Sequence, residues 1–591
     1  MTRQVRQLSR HVDSGSGQAT RSNAAYTIRD APFAAPRPVR IIGVGAGASG
    51  INLIRTLRNT LGASTHEVVV YEKNQDVGGT WFENRYPGCK CDVPSHNYQF
   101  TWRPNLAWSS FFAPAAEIEQ YLCQICDDEN LRPHIKTSHQ IVGAVWSEHK
   151  ARWDLQIRNL VTGVTFAEHA DFFIDATGIL NKWKFPDVKG LSDFKGALIH
   201  SANWPEHFDY ANKTVAVIGN GASGVQIVPA IRPHVKKLHH IIRTPTLIIP
   251  PRVTTMKMGP SASLLEQIEL DEEERFSAAT IAKFQNDPAF YEKFAQTLEL
   301  DSNIKFAISL IASGPQQEWA LGKTKEFMTA MLRGNDKLCK QLIPDFPLGC
   351  KRLTPAPGYL ESFHDPRVSL HTDAIERFVP EGIKLANGEV LEVDAIICAT
   401  GFDSSFRPAF PLVGRHGNLQ NIWSEQTPKA YMSLGVAGLP NYFKFLGPNA
   451  PIAQGDVLTL SEHIATYIAN VIHKCQTQGI RSIVPSEAAV EDYFEHIATF
   501  MPRTVFAGGC RSWYKQGEVD GPVTALYPAS RAHFIRLLEH FRGEDWEYTY
   551  ENARQNRFAY LGNGFTEPEM ALLKAGAPGP WGNARSRHGS I

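Results

Sequence analysis

The feature that most constrains this chain is a glycine-rich loop that occurs twice. Each copy, at 45–50 and at 219–224, follows a short apolar run and precedes apolar residues at helical spacing. A strand, glycine loop and helix followed by another apolar strand are typical of a parallel sheet that binds a dinucleotide pyrophosphate. The sequence therefore predicts an α/β fold with two Rossmann-like dinucleotide-binding domains. The residues assigned to the two loops are Gly45, Gly47, Gly50, Gly219, Gly221, Ser223 and Gly224.

The residue at the end of the second strand differs between the two units. In the first unit it is Glu72, whose carboxylate suits a ribose 2′-hydroxyl. In the second unit Arg243 and Thr244 take that place, and a cation suits a 2′-phosphate that an acid would repel. The charges predict an unphosphorylated dinucleotide in the first site and NADP(H) in the second. NADPH must pass its hydride to an acceptor, and FAD in the first site is the natural one.

Composition excludes several classes of partner. The 591 residues suggest two or three domains, and the 60 basic and 60 acidic residues cancel, so no global field points to nucleic acid or to an anionic membrane. No apolar run reaches the ~18–20 residues of a membrane span, and no secretory signal is evident. Nine scattered cysteines indicate a reducing, cytoplasmic setting rather than a disulfide framework. The Cys123/Cys126 pair lacks a second ligand pair, so we expect no metal site.

The texture of the chain suggests its domain boundaries. A helical insertion is expected at about 255–340, where Glu, Lys, Gln, Ala and Leu predominate. The predicted parts are a disordered extension (1–38), the first part of the FAD domain (39–185), the NADP domain with its insert (186–390), the rest of the FAD domain with substrate loops (391–565), and a flexible tail (566–591).

Four further segments carry a resemblance to a known family. They are 78–81 with 84–88, the stretch 194–205 that fits FxGxxxHxxxW[PD], the pair Lys351-Arg352, and the strand-to-loop motifs 175–178 and 399–403. Over residues 39–565 the chain resembles the type I Baeyer–Villiger monooxygenases. The segments 510–514 and 556–558 look most like fungal members that act on bulky natural-product ketones.

This resemblance implies a reaction in which FAD, NADPH and O2 convert a ketone to an ester or lactone. Such chemistry needs a negatively charged oxygen adduct held by a fixed cation, and the resemblance places that role on Arg352, oriented by Asp92. Lys351 is implied to join Arg243 and Thr244 at the 2′-phosphate. The resemblance also implies flavin contacts for Gly79, Thr80, Trp81, Asp92 and Tyr98, an NADP cover for Trp513, and signature or linker roles for Phe194, Gly196, His200 and Trp204.

Several alternatives stay open at the level of sequence. The Arg352–Asp92 pair could be a structural salt bridge between domains, and Trp513 could be a core aromatic residue. Oxygenation of a nitrogen or sulfur atom is the neighbouring activity. The ketone and the oligomeric state are not predicted.

Overall fold

The structure is a computed structural model that describes residues 26–251, 262–453 and 455–575, with the backbone alone at 301–309. The strands in chain order are β1 (Val39–Val44), β2 (His66–Tyr71), β3 (Ile135–Lys136), β4 (His139–Ser147), β5 (Arg152–Asn159), β6 (Thr165–Ala170), β7 (Phe172–Asp175), β8 (Ala197–His200), β9 (Thr214–Ile218), β10 (Lys237–Ile241), β11 (Ile248–Ile249), β12 (Thr354–Pro355), β13 (Val368–His371), β14 (Ile375–Val379), β15 (Gly382–Leu385), β16 (Val390–Glu392), β17 (Ala395–Cys398), β18 (Leu412–Gly414), β19 (Gly417–Asn418), β20 (Tyr442–Lys444), β21 (Ile480–Pro485) and β22 (Trp546–Tyr550).

The helices in chain order are α1 (Ala48–Thr60), α2 (Thr80–Glu83), α3 (Ala115–Asp128), α4 (Ala222–Ile231), α5 (Ala262–Leu265), α6 (Ala278–Asn286), α7 (Pro288–Ser309), α8 (Pro315–Met331), α9 (Asp336–Leu342), α10 (Leu419–Glu425), α11 (Val457–Thr477), α12 (Glu487–Phe500), α13 (Arg531–Leu538) and α14 (Glu567–Lys574).

A parallel five-stranded sheet in the order β20-β7-β1-β2-β3 organises the first domain. Its central strand β1 is almost wholly apolar and buried, as expected for a parallel strand covered on both faces. Helix α1 leaves the carboxyl end of β1 and packs against α11, which comes from far along the chain. A second sheet, β19-β18-β4-β5-β6, lies beside it. The first glycine loop therefore stands at the carboxyl edge of a rigid sheet.

The second domain is built on another parallel sheet, in the order β13-β10-β9-β17-β8. The two sheets confirm the predicted fold class. Strand β17 lies between β9 and β8, so the second sheet continues beyond residue 390, where the sequence-based boundary was placed. An apolar strand carries no sequence pattern that identifies the sheet to which it belongs. The chain returns to the first sheet at β20.

The helical insertion joins the two domains instead of lying on one of them. Its first half, α5 to α7, packs on the first domain, where buried His96 lies among the rings of Phe276, Phe284, Tyr291 and Phe294 at centroid distances of 4.7–5.7 Å. Its second half, α8 and α9, packs into the core of the second domain. The predicted interval of about 255–340 matches these helices, although residues 252–261 lie outside the described part of the chain.

Both predicted terminal parts overlap the described residues. Phe33 donates its backbone N–H to Phe565 O at 2.6 Å, and Arg37 pairs with Asp171 at 3.3 Å. Residues 567–574 form α14, which begins with a capping box. Residues 1–25 and 576–591 lie outside the described residues. Among the described helices, none combines the length and apolarity needed to cross a membrane.

One disulfide also departs from the sequence-based expectation. Cys350 and Cys510 are bonded, with their Cα atoms 6.2 Å apart and 160 positions between them in sequence. The expectation of free thiols holds for the remaining seven cysteines, including Cys123 and Cys126 on α3. Residue counting could not reveal the bond because it joins segments that only the tertiary fold brings together.

Candidate functional site

The first glycine loop has the geometry of a turn that only glycine tolerates. Gly45 has a φ of +96°, and a Cβ at Gly50 would stand 2.0 Å from Gly45 O, so helix and strand touch directly. Glu72 accepts the backbone N–H of Ala46 at 2.7 Å through one carboxylate oxygen and that of Asn74 at 2.8 Å through the other. Burial raises the pKa of Glu72. The carboxylate thus holds the loop in its turn.

The segment after β2 closes over this loop. Gly79 has a φ of +53°, and a Cβ there would lie 2.9 Å from the Cα of Gly47. Thr80 begins the short helix α2, and Trp81 donates its indole N–H to Tyr98 Oη at 3.3 Å. The structure therefore brings together the residues that the sequence assigned to the flavin site, at one edge of the first sheet.

The second glycine loop repeats the turn and leaves room above it. Gly219 has a φ of +102°, and Cβ atoms at Gly219 and Gly224 would stand 2.4 Å from Ala399 O and 1.9 Å from Gly219 O. A Cβ at Gly221 would meet no atom within 4 Å. The backbone at the start of α4 is thus open to a ligand, and its amide groups suit a pyrophosphate. Ser223 lies in the first turn of this helix.

A group of cations stands beyond β10. Arg243 and Thr244 follow the end of that strand, and Lys351 donates its ammonium to Pro245 O at 3.0 Å. Burial, together with the neighbouring charge of Arg243, lowers the pKa of Lys351 to about 8. Two cations held this close repel each other, and an anion between them would relieve that repulsion. The three residues predicted for the 2′-phosphate are therefore adjacent.

Arg352 and Asp92 form a two-point ion pair. The guanidinium donates Nε to Oδ2 and Nη2 to Oδ1, both at 2.6 Å. Their side chains are 32% and 14% exposed, so the pair lies at the wall of the site rather than on the outer surface. The charge of Asp92 raises the pKa of Arg352 above its ordinary value, so the cation persists at every working pH. Asp92 fixes one edge of the guanidinium, and the N–H groups of the other edge are not used by this carboxylate.

The Cys350–Cys510 bond connects the loop that carries Trp513 and Tyr514 to the segment that carries Arg352. Tyr514 is 1% exposed, and its phenol interacts electrostatically with both Arg352 and Asp92. Burial raises its pKa, so the phenol remains protonated. Sequence reasoning missed Tyr514 as a site residue. The available signal was the position of two cysteines, since Cys350 directly precedes Lys351 and Cys510 lies three positions before Trp513.

The signature stretch forms the edge strand β8 and its flanks. Phe194 is buried in the second domain, and a Cβ at Gly196 would lie 2.4 Å from Asp394 O. His200 is 1% exposed and stacks on Trp183 with ring centroids 4.8 Å apart. Burial lowers the pKa of His200 to about 4, which makes it a neutral structural residue beside the domain linkers. Trp204 packs with Phe208 and Tyr210 rather than entering the site.

Comparisons with known proteins agree with this architecture. Residues 44–115 match a model described as an NAD(P)-binding Rossmann-like domain. The chain is 36% identical to the FAD-binding monooxygenase tazF of Aspergillus terreus over 92% of this chain and 93% of that protein. It is 30% identical to a Baeyer–Villiger monooxygenase of Streptomyces coelicolor over 84% and 90% of the two chains. Cyclohexanone monooxygenase from Rhodococcus sp. Phi1, bound to NADP+, shares the fold with a TM-score of 0.71 at 24% identity, over 87% and 99% of the chains.

Proposed function

This chain belongs to the family of FAD-binding, Baeyer–Villiger-type monooxygenases, and from that premise we propose that it oxygenates a ketone to an ester or lactone. FAD binds the first domain and NADPH the second. The substrate class we favour is a bulky secondary-metabolite ketone, because segments 510–514 and 556–558 resemble fungal members that act on such ketones. We further propose that its partners are this small molecule and O2.

The observation that carries the proposal is the Arg352–Asp92 pair. Bound FAD, once reduced by NADPH, supplies activated oxygen that must react as an anion with the ketone carbonyl. The Arg352 guanidinium stabilises that negative charge through the N–H groups that Asp92 does not use. Asp92 orients the guanidinium and offsets the cost of burying a cation. A preorganised donor of this kind contributes roughly 10²–10³ in rate.

The second domain selects the reductant. The amides at the start of α4 face the pyrophosphate, since nothing fills the space above Gly221. We propose that Lys351, Arg243 and Thr244 bind the 2′-phosphate, and the bond of Lys351 to Pro245 O and its electrostatic interaction with Arg243 support this. This arrangement supports a preference for NADPH over NADH, because a 2′-hydroxyl would leave the two cations uncompensated.

Product analysis with isotopically labelled O2 tests the proposal. Purified protein with NADPH is offered cyclic and polycyclic ketones beside an amine and a sulfide. We expect esters or lactones that carry one labelled oxygen atom, with NADPH consumed in step. Label in an N-oxide or sulfoxide, and in no ester across the ketone panel, would contradict ketone oxygenation and favour attack on a heteroatom.

A further inference from the structure

The Cys350–Cys510 disulfide joins two segments of the site that are far apart in the sequence. Cys350 stands two positions before Arg352, and Cys510 stands three positions before Trp513. Both cysteines are almost fully buried, at 0% and 1% exposure. The bond therefore ties the backbone of the oxygen-stabilising cation to the loop predicted to cover NADP.

The rest of that loop is held by hydrogen bonds. Lys515, 1% exposed, donates its ammonium to Gly508 O at 2.5 Å and to Val519 O. Ser404, on the linker between the domains, donates its hydroxyl to Trp513 O at 3.0 Å. These contacts are individually reversible, whereas the disulfide is not without a reductant. The loop could open at its hydrogen bonds, but it remains tied to the Arg352 segment.

The disulfide also restricts the position of Tyr514, which lies on the same loop. Its backbone C=O accepts the N–H of Thr524 at 3.0 Å, and its buried ring lies 5.8 Å from that of Phe506. Its phenol interacts electrostatically with Arg352 and Asp92. A shift of the loop by even 1 Å would move this phenol relative to the guanidinium, and misplacement on that scale affects rates strongly.

We propose that the Cys350–Cys510 disulfide is a positioning bond that holds the Trp513–Tyr514 loop against the Arg352–Asp92 pair during oxygenation. The loop's role rests on the proposed function, but the bond itself does not. Cys350 and Cys510 are positioning residues, since they act through Arg352 and Tyr514. The purpose of the bond is to keep NADP+ and the activated oxygen covered while the ketone reacts.

The bond can be broken reversibly by a dithiol such as dithiothreitol. A thiolate of the reductant attacks one sulfur, the second cysteine leaves as a thiolate and takes up a proton, and the reductant's other thiol then closes its own disulfide. Two electrons pass to the protein, giving two cysteine thiols. Because both sulfur atoms are buried, attack requires the loop to open first, so the reduction rate reports opening.

Alkylation followed by mass spectrometry tests the bond itself. Protein purified without reductant and denatured in an alkylating agent should carry seven modified cysteines, and nine after full reduction. Nine modified cysteines without reduction would overturn the proposal. This measurement needs no substrate, so it fails or succeeds independently of ketone oxygenation.

The reduction rate tests the coupling to the site. We expect saturating NADP+ to slow reduction of Cys350–Cys510 by dithiothreitol about tenfold, because the bound nucleotide holds the loop closed. A rate unchanged by NADP+ would contradict the proposed role. Alkylation of Cys339, a partly buried thiol on α9, serves as the matched control and should not respond to NADP+ in the same way.

Turnover separates positioning from simple stabilisation. In the Cys350→Ser/Cys510→Ser variant, and in wild type after reduction, we expect unchanged FAD content but a fall of about tenfold in ester formed per NADPH, with hydrogen peroxide released instead. The Cys339→Ser variant should stay coupled. If the double serine variant and the reduced wild type both convert ketone as efficiently as the oxidised enzyme, the bond contributes only to stability and the proposal fails. A chain that makes no ester in any form would instead contradict the proposed function.

Discussion

At the residue scale, the proposed contact between Lys351 and the 2′-phosphate predicts that nucleotide binding depends on pH. Its pKa is lowered to about 8 by burial and by Arg243, so its ammonium is present below that pH and is lost as the pH rises through it. The 2′-phosphate requires the charged form. We therefore expect the KM for NADPH to rise above about pH 8, while the KM for NADH stays nearly flat, in steady-state assays across the pH range.

Lys351→Arg provides the matched control for this prediction. A guanidinium keeps its charge at high pH, so the variant should hold its NADPH affinity through pH 9–10. Lys351→Ala should weaken NADPH binding by roughly tenfold at neutral pH and remove the pH dependence, as expected for one charge-assisted contact of about 1.4 kcal/mol. A steep rise in the KM of the arginine variant would assign the pH effect to another group.

Which residues could be predicted depended on whether their role is local. The two glycine loops were readable because the turn, the phosphate approach and the helix packing all occur within six positions. The Arg352–Asp92 pair joins residues separated by 260 positions, and only the family resemblance indicated it. Tyr514 was missed because its electrostatic interaction with that pair depends on how a distant loop folds back.

At the element scale, two glycines at the start of α4 have different roles. Gly224 is needed for the packing of the helix, whereas Gly221 leaves space for the nucleotide. A Cβ at Gly224 would stand 1.9 Å from Gly219 O, whereas one at Gly221 meets no protein atom within 4 Å. We expect Gly224→Ala to cost about 1–3 kcal/mol or more in unfolding free energy, through forced movement of the helix. Gly221→Ala should leave that stability unchanged and raise only the Kd for NADPH.

Thermal unfolding and nucleotide titration distinguish these two variants. Two results for Gly221→Ala would contradict this account. One is a large loss of stability, and the other is an affinity for NADPH equal to that of wild type. FAD content serves as an internal control, because the first glycine loop is untouched by either change.

The sequence identifies a strand more readily than it identifies the sheet to which that strand belongs. Strand β17 lies within the interval 391–565 that was predicted to belong to the FAD domain, yet it pairs with β8 and β9 of the second sheet. All its residues are buried, as in strands of either parallel sheet, so no local pattern could decide between them.

At the scale of the whole molecule, buried histidines limit stability in acid. Burial lowers the pKa of His96 to about 3 and that of His240 to about 4. Unfolding exposes both, and the unfolded chain then binds protons below about pH 6.5. Their contribution to stability is present above that pH and is lost as the pH falls towards the folded values, at up to about 1.4 kcal/mol per pH unit for each histidine.

Replacing His96 by Phe tests this account, since its ring lies among four aromatic rings. The melting temperature of His96→Phe should fall less steeply than that of wild type between pH 6.5 and 4. His169→Phe, at an exposed position on β6, is the matched control and should follow wild type. Equal slopes in all three proteins would show that other groups govern acid unfolding.

His96 also shows why the sequence predicted the position of the helical insertion along the chain but not the domain on which it packs. Its helices were visible from composition, whereas its packing on the first domain depends on aromatic contacts with His96 from a distant segment. The insertion thus packs on both nucleotide domains and connects them.

The central claim is that the Arg352 guanidinium, oriented by Asp92, stabilises the anion that attacks the ketone. The most direct measurement is rapid-reaction analysis of Arg352→Ala, with Arg352→Lys as the charge-conserving control and FAD content checked in both. The account predicts flavin reduction by NADPH near the wild-type rate, O2 consumed with release of hydrogen peroxide, and ester formation reduced by at least about 10². Ester formation at the wild-type rate in Arg352→Ala would contradict it.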